Sequence, residues 1–143
     1  MKILFICKNN QFRSQMAAAI YNKLTKTEDA FSVGTYVGVP ENPGGDPIRK
    51  FFRTTDLFEL MEANDMYIRD VQTQKLLPEH SDNADVVVSM AEEPFIPDFL
   101  KENKQVIWWN VDNPPFATKE VSEEIYKQIH QLIENLLISS KKL

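Results

Sequence analysis

The chain has 143 residues, 43% of them hydrophobic, and we expect residues 1–143 to form one domain with a buried core. It has 16 lysines and arginines against 21 aspartates and glutamates, and the net charge of −5 argues against a nucleic-acid-binding protein. A single cysteine excludes an internal disulfide bond, and the apolar run after Lys2 is too short for a signal-peptide core or a membrane span. We therefore expect a cytoplasmic protein with no membrane or nucleic-acid partner.

The chain opens with a predicted strand and a predicted helix. Residues 3–7 form an unbroken apolar run with β-branched and aromatic side chains, which is typical of a strand buried on both faces. Residues 13–26 are rich in alanine, and Met16, Ile20 and Leu24 recur at the spacing of one helix face. The polar segment between the two elements is predicted to be a loop.

The same alternation continues to the C-terminus. A second strand is predicted over residues 31–37, and the glycines and prolines of residues 38–47 indicate a loop. The remaining predicted elements are a helix from residue 46 or 47 to 63, a short helix or turn within 64–84, a strand at 85–90, a proline-broken helix within 93–102, a strand at 105–109 and an amphipathic helix at 120–138.

This order of elements predicts an α/β fold, with a four-stranded parallel sheet between two layers of helices. Ligands of such sheets bind at the carboxyl ends of the strands. Cys7 ends the first strand, and Asp112 lies in the loop that follows the fourth. We therefore expect Cys7 and Asp112 at the same edge of the sheet.

The loop after the first strand suits phosphate chemistry. Cys7 ends the strand, five residues intervene, and Arg13 and Ser14 open the helix. Backbone N–H groups of such a loop can surround a tetrahedral oxyanion at the positive end of the helix dipole, and the arginine fork matches two phosphate oxygens. The predicted phosphate-binding residues are Lys8, Asn9, Asn10, Gln11, Phe12 and Arg13. In this setting Cys7 is a candidate nucleophile, and Ser14 a hydrogen-bond donor to its sulfur. The alternative is that Cys7 is an inert, buried strand residue.

The segment from Ile3 to Ala17 resembles the opening of low-molecular-weight protein tyrosine phosphatases and of the arsenate reductases that share their fold. The likeness continues at residues 32–35, 84–93 and 110–115 and reaches the C-terminal helix. It implies a phosphomonoester hydrolase, in particular a protein tyrosine phosphatase, that forms a phosphocysteine on Cys7. Arg13 and the loop N–H groups would hold the phosphate oxygens, and an aspartate would protonate the leaving oxygen and then activate water.

The resemblance also implies roles for residues around the loop. Asn10 matches an asparagine that stiffens the loop in a left-handed conformation, and Ser14 and Ser32 match supporting residues. The acid of the family usually stands directly before a proline, where this chain has Asn113, so Asp112 is the candidate acid. Either Asp112 reaches the leaving group through a shifted loop or acid catalysis is weak. Asp112 is otherwise read as a turn residue.

Phe12 stands where many of these phosphatases have a further cysteine. Phe12, Tyr36 and Phe116 could form an apolar collar for an aromatic substrate, or Phe12 and Phe116 could pack against the sheet edge. Inorganic phosphate or sulfate in the loop, and a phosphorylated protein or a small aryl phosphate as substrate, are the expected partners.

Two other functions fit the loop. An arsenate reductase would need an external thiol or redoxin, because the chain has no cysteine besides Cys7. A non-catalytic oxyanion-binding module would be favoured if Asn113 means that the acid is lost. The sequence shows no spacing of cysteine and histidine typical of a metal site, and we expect neither a metal nor a cofactor.

Overall fold

Four parallel strands form the centre of the computed structural model, which describes residues 1–51, 55–114 and 118–141, without the side chains of residues 55 and 141. The strands are β1 (Ile3–Cys7), β2 (Ala30–Gly34), β3 (Val86–Ser89) and β4 (Ile107–Trp108). They pair in the order β2-β1-β3-β4, and every pairing is parallel. The predicted α/β fold with a four-stranded parallel sheet is thus confirmed.

The connections between the strands are helical. They contain α1 (Arg13–Thr25), a 3-10 turn (Ile48–Lys50), α2 (Thr55–Ala63), α3 (Pro78–Asp82) and α4 (Asp98–Lys101), and α5 (Lys119–Lys141) closes the chain. No helix of the described segments is long and apolar enough to cross a bilayer.

Alternating side chains of β1 pack into two separate hydrophobic clusters. Ile3, Phe5 and Cys7 pack into the larger cluster, which is covered by α1, α2 and α5. Leu4 and Ile6 point to the opposite face and pack into a smaller cluster that includes Leu100 of α4. Because β1 is fully buried between two layers, it needs apolar side chains at every position, which explains its unbroken apolar sequence.

The sheet order creates a crevice between β1 and β3. The crossover after β1 places α1 on the face of the larger cluster, whereas the crossover after β3 places α4 on the other face. The two chain segments therefore diverge as they leave adjacent strands. A crevice at this kind of divergence is where open α/β sheets bind ligands, and here it lies beside Cys7.

The helix predicted from residue 46 or 47 to 63 is wrong over its first residues, up to residue 51. The 3-10 turn ends at Lys50, the backbone of Phe51 is extended, and α2 begins at Thr55. Backbone N–H groups of Ile48 and Arg49 donate to the carbonyls of Val71 and Arg69, and the N–H of residue 73 donates to the carbonyl of residue 46. This pairing with a segment distant in sequence replaces the helical hydrogen bonds that the local pattern favoured.

Three predicted strands are shorter in the structure, and the last helix is longer. β3 runs from Val86 to Ser89 rather than over residues 85–90. β2 ends at Gly34 rather than residue 37, because the N–H groups of Thr35 and Tyr36 donate to the carbonyls of Cys7 and Lys8. β4 has only two residues, and α5 extends beyond the predicted 120–138 at both ends.

Candidate active site

The loop that joins β1 to α1 closes around the sulfur of Cys7. Cys7 is the last residue of β1 and its exposed fraction is 2%, so the thiol lies at the floor of the site. Helix α1 starts at Arg13 without a side-chain cap or an acidic residue in its first turn. The positive end of the helix dipole is therefore directed at the loop, and the first turn of α1 has no carboxylate of its own to neutralise it.

The backbone of the loop offers donors in an unbroken series. Within the described part of the chain, the N–H groups of residues 8–12 donate to no backbone carbonyl or side chain. Asn10, Gln11 and Phe12 are nonetheless buried. Buried N–H groups almost always have an acceptor, so a series of them without one suits a bound anion.

Asn10 holds the loop in this conformation. Its φ of 56° is in the left-handed region, as expected from the resemblance. Its side-chain NH2 donates to Ser14 Oγ at 2.8 Å and to Ser32 Oγ at 2.9 Å. Its Oδ1 accepts from the backbone N–H of Gln74 at 2.9 Å and from Gln15 Nε2 at 3.3 Å. All four hydrogen-bonding positions of this buried amide are therefore used.

Ser14 links this network to the sulfur. Its Oγ lies 3.0 Å from Cys7 Sγ and already accepts a hydrogen bond from Asn10. Since a hydroxyl has one proton to donate, that proton can be directed to the sulfur. The arrangement is suited to stabilising a thiolate, both as a nucleophile and as a leaving group.

Arg13 is almost fully buried, and one edge of its guanidinium is held by protein. Nη1 donates to Glu92 Oε2 at 2.9 Å, and Nη2 donates to Glu92 Oε1 at 3.2 Å. Nη1 also donates to the carbonyls of Met90 and Val111. These two carbonyls follow β3 and β4, so the arginine ties the first loop to both later strands.

The other edge of the Arg13 guanidinium remains available. Among the described residues, Nε donates to none, and Nη2 donates only to Glu92. Nε and the second hydrogen of Nη2 form a two-pronged donor that matches two oxygens of a phosphate. Phosphate binding by this edge stays a prediction, and the opposite edge of the guanidinium is braced by a carboxylate.

A tight contact from β2 supports the back of the loop. A Cβ added to Gly34 would lie 2.6 Å from Val37 Cγ2 and 2.8 Å from the backbone oxygen of Lys8. Only glycine fits at this crossing. Asn42 adds a further support, because its side-chain amide donates to the carbonyl of Asn9 at 3.2 Å.

An aromatic rim flanks the loop, but it is not the one predicted. Phe12 has an exposed fraction of 3% and packs into the larger core, so it is not part of a collar. Tyr36 is half-buried and packs edge-on against Phe95, with ring centroids 5.0 Å apart. Lys8 Nζ lies 3.9 Å from the Phe95 centroid and 5.3 Å from that of Tyr36. Phe116 falls outside the described residues.

No hydrogen bond or ion pair within the described residues joins Asp112 to the loop between β1 and α1. Asp112 is exposed, and it lines a cavity of about 970 Å³ with residues of α5 that include Glu120 and Glu124. In the described segments its carboxylate makes no hydrogen bond. Its neighbour Asn113 instead donates to Glu92 Oε1 at 3.3 Å. Asn113, which occupies the position usual for the family acid, therefore contacts the Glu92 carboxylate that holds Arg13.

Sequence reasoning missed Glu92, Gln15 and Asn42. Glu92 stands out only in that it follows β3 in an acidic pair, and its partner Arg13 is 79 positions away. A buried arginine at the start of α1 requires a carboxylate partner. The sequence could therefore indicate that such a partner exists, but not which residue it is. No cluster of three or more His, Cys, Asp and Glu in the residues described here could hold a metal ion.

Comparison with known proteins places the chain in a family. The sequence model of the family described as low molecular weight phosphotyrosine protein phosphatase matches residues 2–142. A comparison with curated protein sequences gives no significant match.

Several solved structures share the fold. One is a low-molecular-weight protein tyrosine phosphatase from T. tengcongensis, with a TM-score of 0.74, 23% identity and coverage of 100% of this chain and 99% of that one. An arginine phosphatase from Geobacillus stearothermophilus has a TM-score of 0.78 at 18% identity, covering 99% and 93%. An arsenate reductase in the phosphate-binding state has a TM-score of 0.69 at 23% identity, covering 97% and 98%.

Proposed function

The chain belongs to the low molecular weight phosphotyrosine protein phosphatase family, and from that premise we propose that it hydrolyses phosphate monoesters through a phosphocysteine on Cys7. One observation carries the proposal. The Cys7 sulfur, 3.0 Å from Ser14 Oγ, lies at the floor of a loop, and the backbone N–H groups of residues 8–12 in that loop donate to no acceptor among the described residues. Nucleophile and oxyanion donors therefore belong to the same few residues.

In the first step, Cys7 Sγ attacks the phosphorus of a bound ester in line with the leaving oxygen. The S–P bond forms as the P–O bond to the leaving group breaks. The backbone N–H groups of the loop and the Nε/Nη2 edge of Arg13 bind the three remaining phosphate oxygens. These donors are preorganised by Asn10 and Glu92 and need little reorganisation as charge develops.

In the second step, water attacks the phosphocysteine and releases inorganic phosphate. Ser14 donates its hydroxyl proton to the departing sulfur as a hydrogen bond. We assign Asp112 as the group that protonates the leaving oxygen in the first step and accepts a proton from water in the second. Val111, directly before it, is tied to Arg13 through its carbonyl. The side chain of Asp112 must turn from the α5 side toward the loop to act.

Aryl phosphates, above all phosphotyrosine in proteins, are the substrates that the site suits best. The rings of Tyr36 and Phe95 flank the loop at Lys8, where the organic part of a bound ester would leave the site. Aromatic groups pack favourably against such an edge. The fold is also shared with an arginine phosphatase, so phosphoarginine is the substrate to compare. A reducing cytoplasm would keep the single cysteine free for this chemistry.

The test is steady-state hydrolysis of p-nitrophenyl phosphate across pH, without added thiol. Wild type should turn over, Cys7→Ser should be inactive, and Cys7→Ser should still be stabilised by phosphate in thermal unfolding. Asp112→Asn should lose about 10²-fold or more in kcat, as expected for a general acid. Asp82→Asn, an exposed aspartate in α3, is the matched control and should keep the wild-type rate.

Each result bears on a different part of the proposal. A wild type that cannot hydrolyse this activated ester would refute the phosphatase function. Turnover with an active Cys7→Ser variant would refute the phosphocysteine. Turnover with an unimpaired Asp112→Asn variant would leave the phosphatase in place and refute only the assignment of the acid.

Arsenate reduction is the second candidate, favoured by the presence of Asn113 at the usual position of the acid and by the fold shared with an arsenate reductase. Arsenate can occupy a phosphate loop, but its reduction to arsenite needs two electrons. An external thiol or redoxin would have to supply them, because Cys7 is the only cysteine. Oxidation of such a thiol only when arsenate and the protein are both present would support this function. A protein that does neither reaction but is stabilised by phosphate would be an oxyanion-binding module.

A further inference from the structure

Lys8 is held at the mouth of the phosphate loop by two aromatic rings. Its ammonium lies 3.9 Å from the ring centroid of Phe95 and 5.3 Å from that of Tyr36. The two rings pack edge-on at an interplanar angle of 66°. An ammonium near the face of an aromatic ring is attracted to it, so contacts with both rings favour one position of the long side chain. Lys8 directly follows the nucleophile, so this position is fixed relative to Cys7.

In the described part of the chain, no carboxylate pairs with the Lys8 ammonium. Among the described residues, Nζ makes no salt bridge and no hydrogen bond, although it has three protons to donate. Three carboxylates that lie near its ring partners in sequence have other contacts: Glu92 binds Arg13, Glu93 binds Lys101, and Glu41 accepts from the Tyr36 hydroxyl at 3.4 Å. A half-buried ammonium in a fixed position is therefore open to an anion from outside.

The phosphate itself does not require this ammonium. The loop N–H groups and the free edge of Arg13 already provide donors for the three oxygens that the leaving group does not use. The side chain of Lys8 points to the rim, where Phe95 and Tyr36 hold it against attraction toward the loop. The charge is thus positioned for the part of the substrate that surrounds the phosphorylated side chain.

We propose that Lys8 is a specificity-determining residue that binds a carboxylate next to the phosphorylated residue, so that the enzyme prefers phosphotyrosine in acidic peptide segments. The proposal rests on the phosphatase function above and deepens it by naming the class of substrate. The protein as a whole has a net charge of −5, which repels an acidic peptide at long range. The preference therefore depends on this local cation.

The test compares three peptides that are identical except for the residues on both sides of phosphotyrosine, which are glutamate, glutamine or lysine. For wild type we expect kcat/KM to be about two- to fivefold higher for the glutamate than for the glutamine peptide, which is the effect expected of one partly exposed ion pair. The lysine peptide should be the poorest substrate. In Lys8→Met the glutamate-to-glutamine ratio should fall to about one.

Three further variants separate charge, position and nonspecific effects. Lys8→Arg keeps the cation and should keep most of the ratio. Phe95→Leu keeps the charge but removes one ring, and should reduce the ratio. Lys104→Met removes an exposed lysine on the loop after α4 and should leave the wild-type ratio unchanged. Each ratio is measured within one variant, so changes in basal rate or stability cancel.

The outcomes distinguish the two proposals. If p-nitrophenyl phosphate is hydrolysed but the glutamate and glutamine peptides react equally, the role of Lys8 is refuted and the phosphatase function stands. A wild-type preference that persists in Lys8→Met also refutes it. If neither the peptides nor p-nitrophenyl phosphate reacts, the phosphatase function fails and the specificity proposal fails with it.

Discussion

Asn9 and Asn10 are adjacent in the loop between β1 and α1 but differ completely in their side-chain contacts, so replacing each by alanine isolates the role of the Asn10 network. The Asn10 amide makes four hydrogen bonds and is fully buried. In the described part of the chain, the Asn9 side chain makes none, and only its carbonyl accepts a bond, from Asn42. Asn10→Ala should therefore destabilise the protein much more than Asn9→Ala.

The magnitude follows from the contacts that are lost. Four neutral hydrogen bonds contribute about 1 kcal/mol each, and the partners left behind are largely buried. Alanine also tolerates a left-handed backbone less well than asparagine, which adds up to about 1 kcal/mol. We expect Asn10→Ala to lower the free energy of unfolding by about 3–5 kcal/mol. Asn9→Ala should change it by less than about 0.5 kcal/mol.

The assay is urea unfolding followed by circular dichroism, with p-nitrophenyl phosphate hydrolysis measured on the folded variants. Loss of Asn10 also releases Ser14, so kcat should fall together with stability. An Asn10→Ala variant that loses less than about 1 kcal/mol, or no more than Asn9→Ala, would refute the network as the support of the loop.

Three other predictions concern contacts around and away from the loop. Glu92→Gln should lower kcat/KM for p-nitrophenyl phosphate about tenfold, because an amide cannot neutralise Arg13 or accept both of its bonds; an unchanged value would remove Glu92 from phosphate binding. Gly34→Ala should destabilise the protein by about 1–3 kcal/mol in thermal unfolding, since the new Cβ would overlap backbone; equal stability would show that the loop can shift there. The hydrogen bond from Arg69 lowers the pKa of Glu62, so this pair stabilises the fold above the unfolded pKa and loses its effect as pH falls through the folded pKa. Arg69→Met should raise the Glu62 pKa toward its ordinary value in an NMR titration, and a pKa that does not move would contradict the cause.

The first strand, the loop and the first helix could be predicted because their determinants are local. Residues 3–7 are buried on both faces and are therefore apolar throughout. The alanine-rich helical pattern was predicted to begin at residue 13, and α1 begins at Arg13. The left-handed backbone at Asn10 was also foreseeable, because asparagine tolerates that conformation better than most residues.

The helix predicted from residue 46 or 47 fails for the opposite reason. Its sequence favours a helix locally, but Ile48 and Arg49 pair with the backbone of residues 71 and 69. Such pairing depends on where the chain returns, and no local pattern records it. Phe12 shows the same limit of local sequence patterns. Its sequence position is compatible with a side chain that faces either substrate or the core, and only the packing of α1 against the sheet places it in the core.

The sequence by itself determined the loop at the centre of the candidate site, because Cys7, Arg13 and Ser14 lie within eight consecutive residues between a strand and a helix. Only the tertiary structure decided which carboxylate braces Arg13, which rings hold Lys8 and where the Asp112 side chain lies. Glu92 and Phe95 follow β3, and Asp112 follows β4, so their approach to the first loop depends on the order of strands in the sheet. Contacts between segments about 80 to 100 residues apart arise from packing the whole sheet, which is a collective property that no single motif carries.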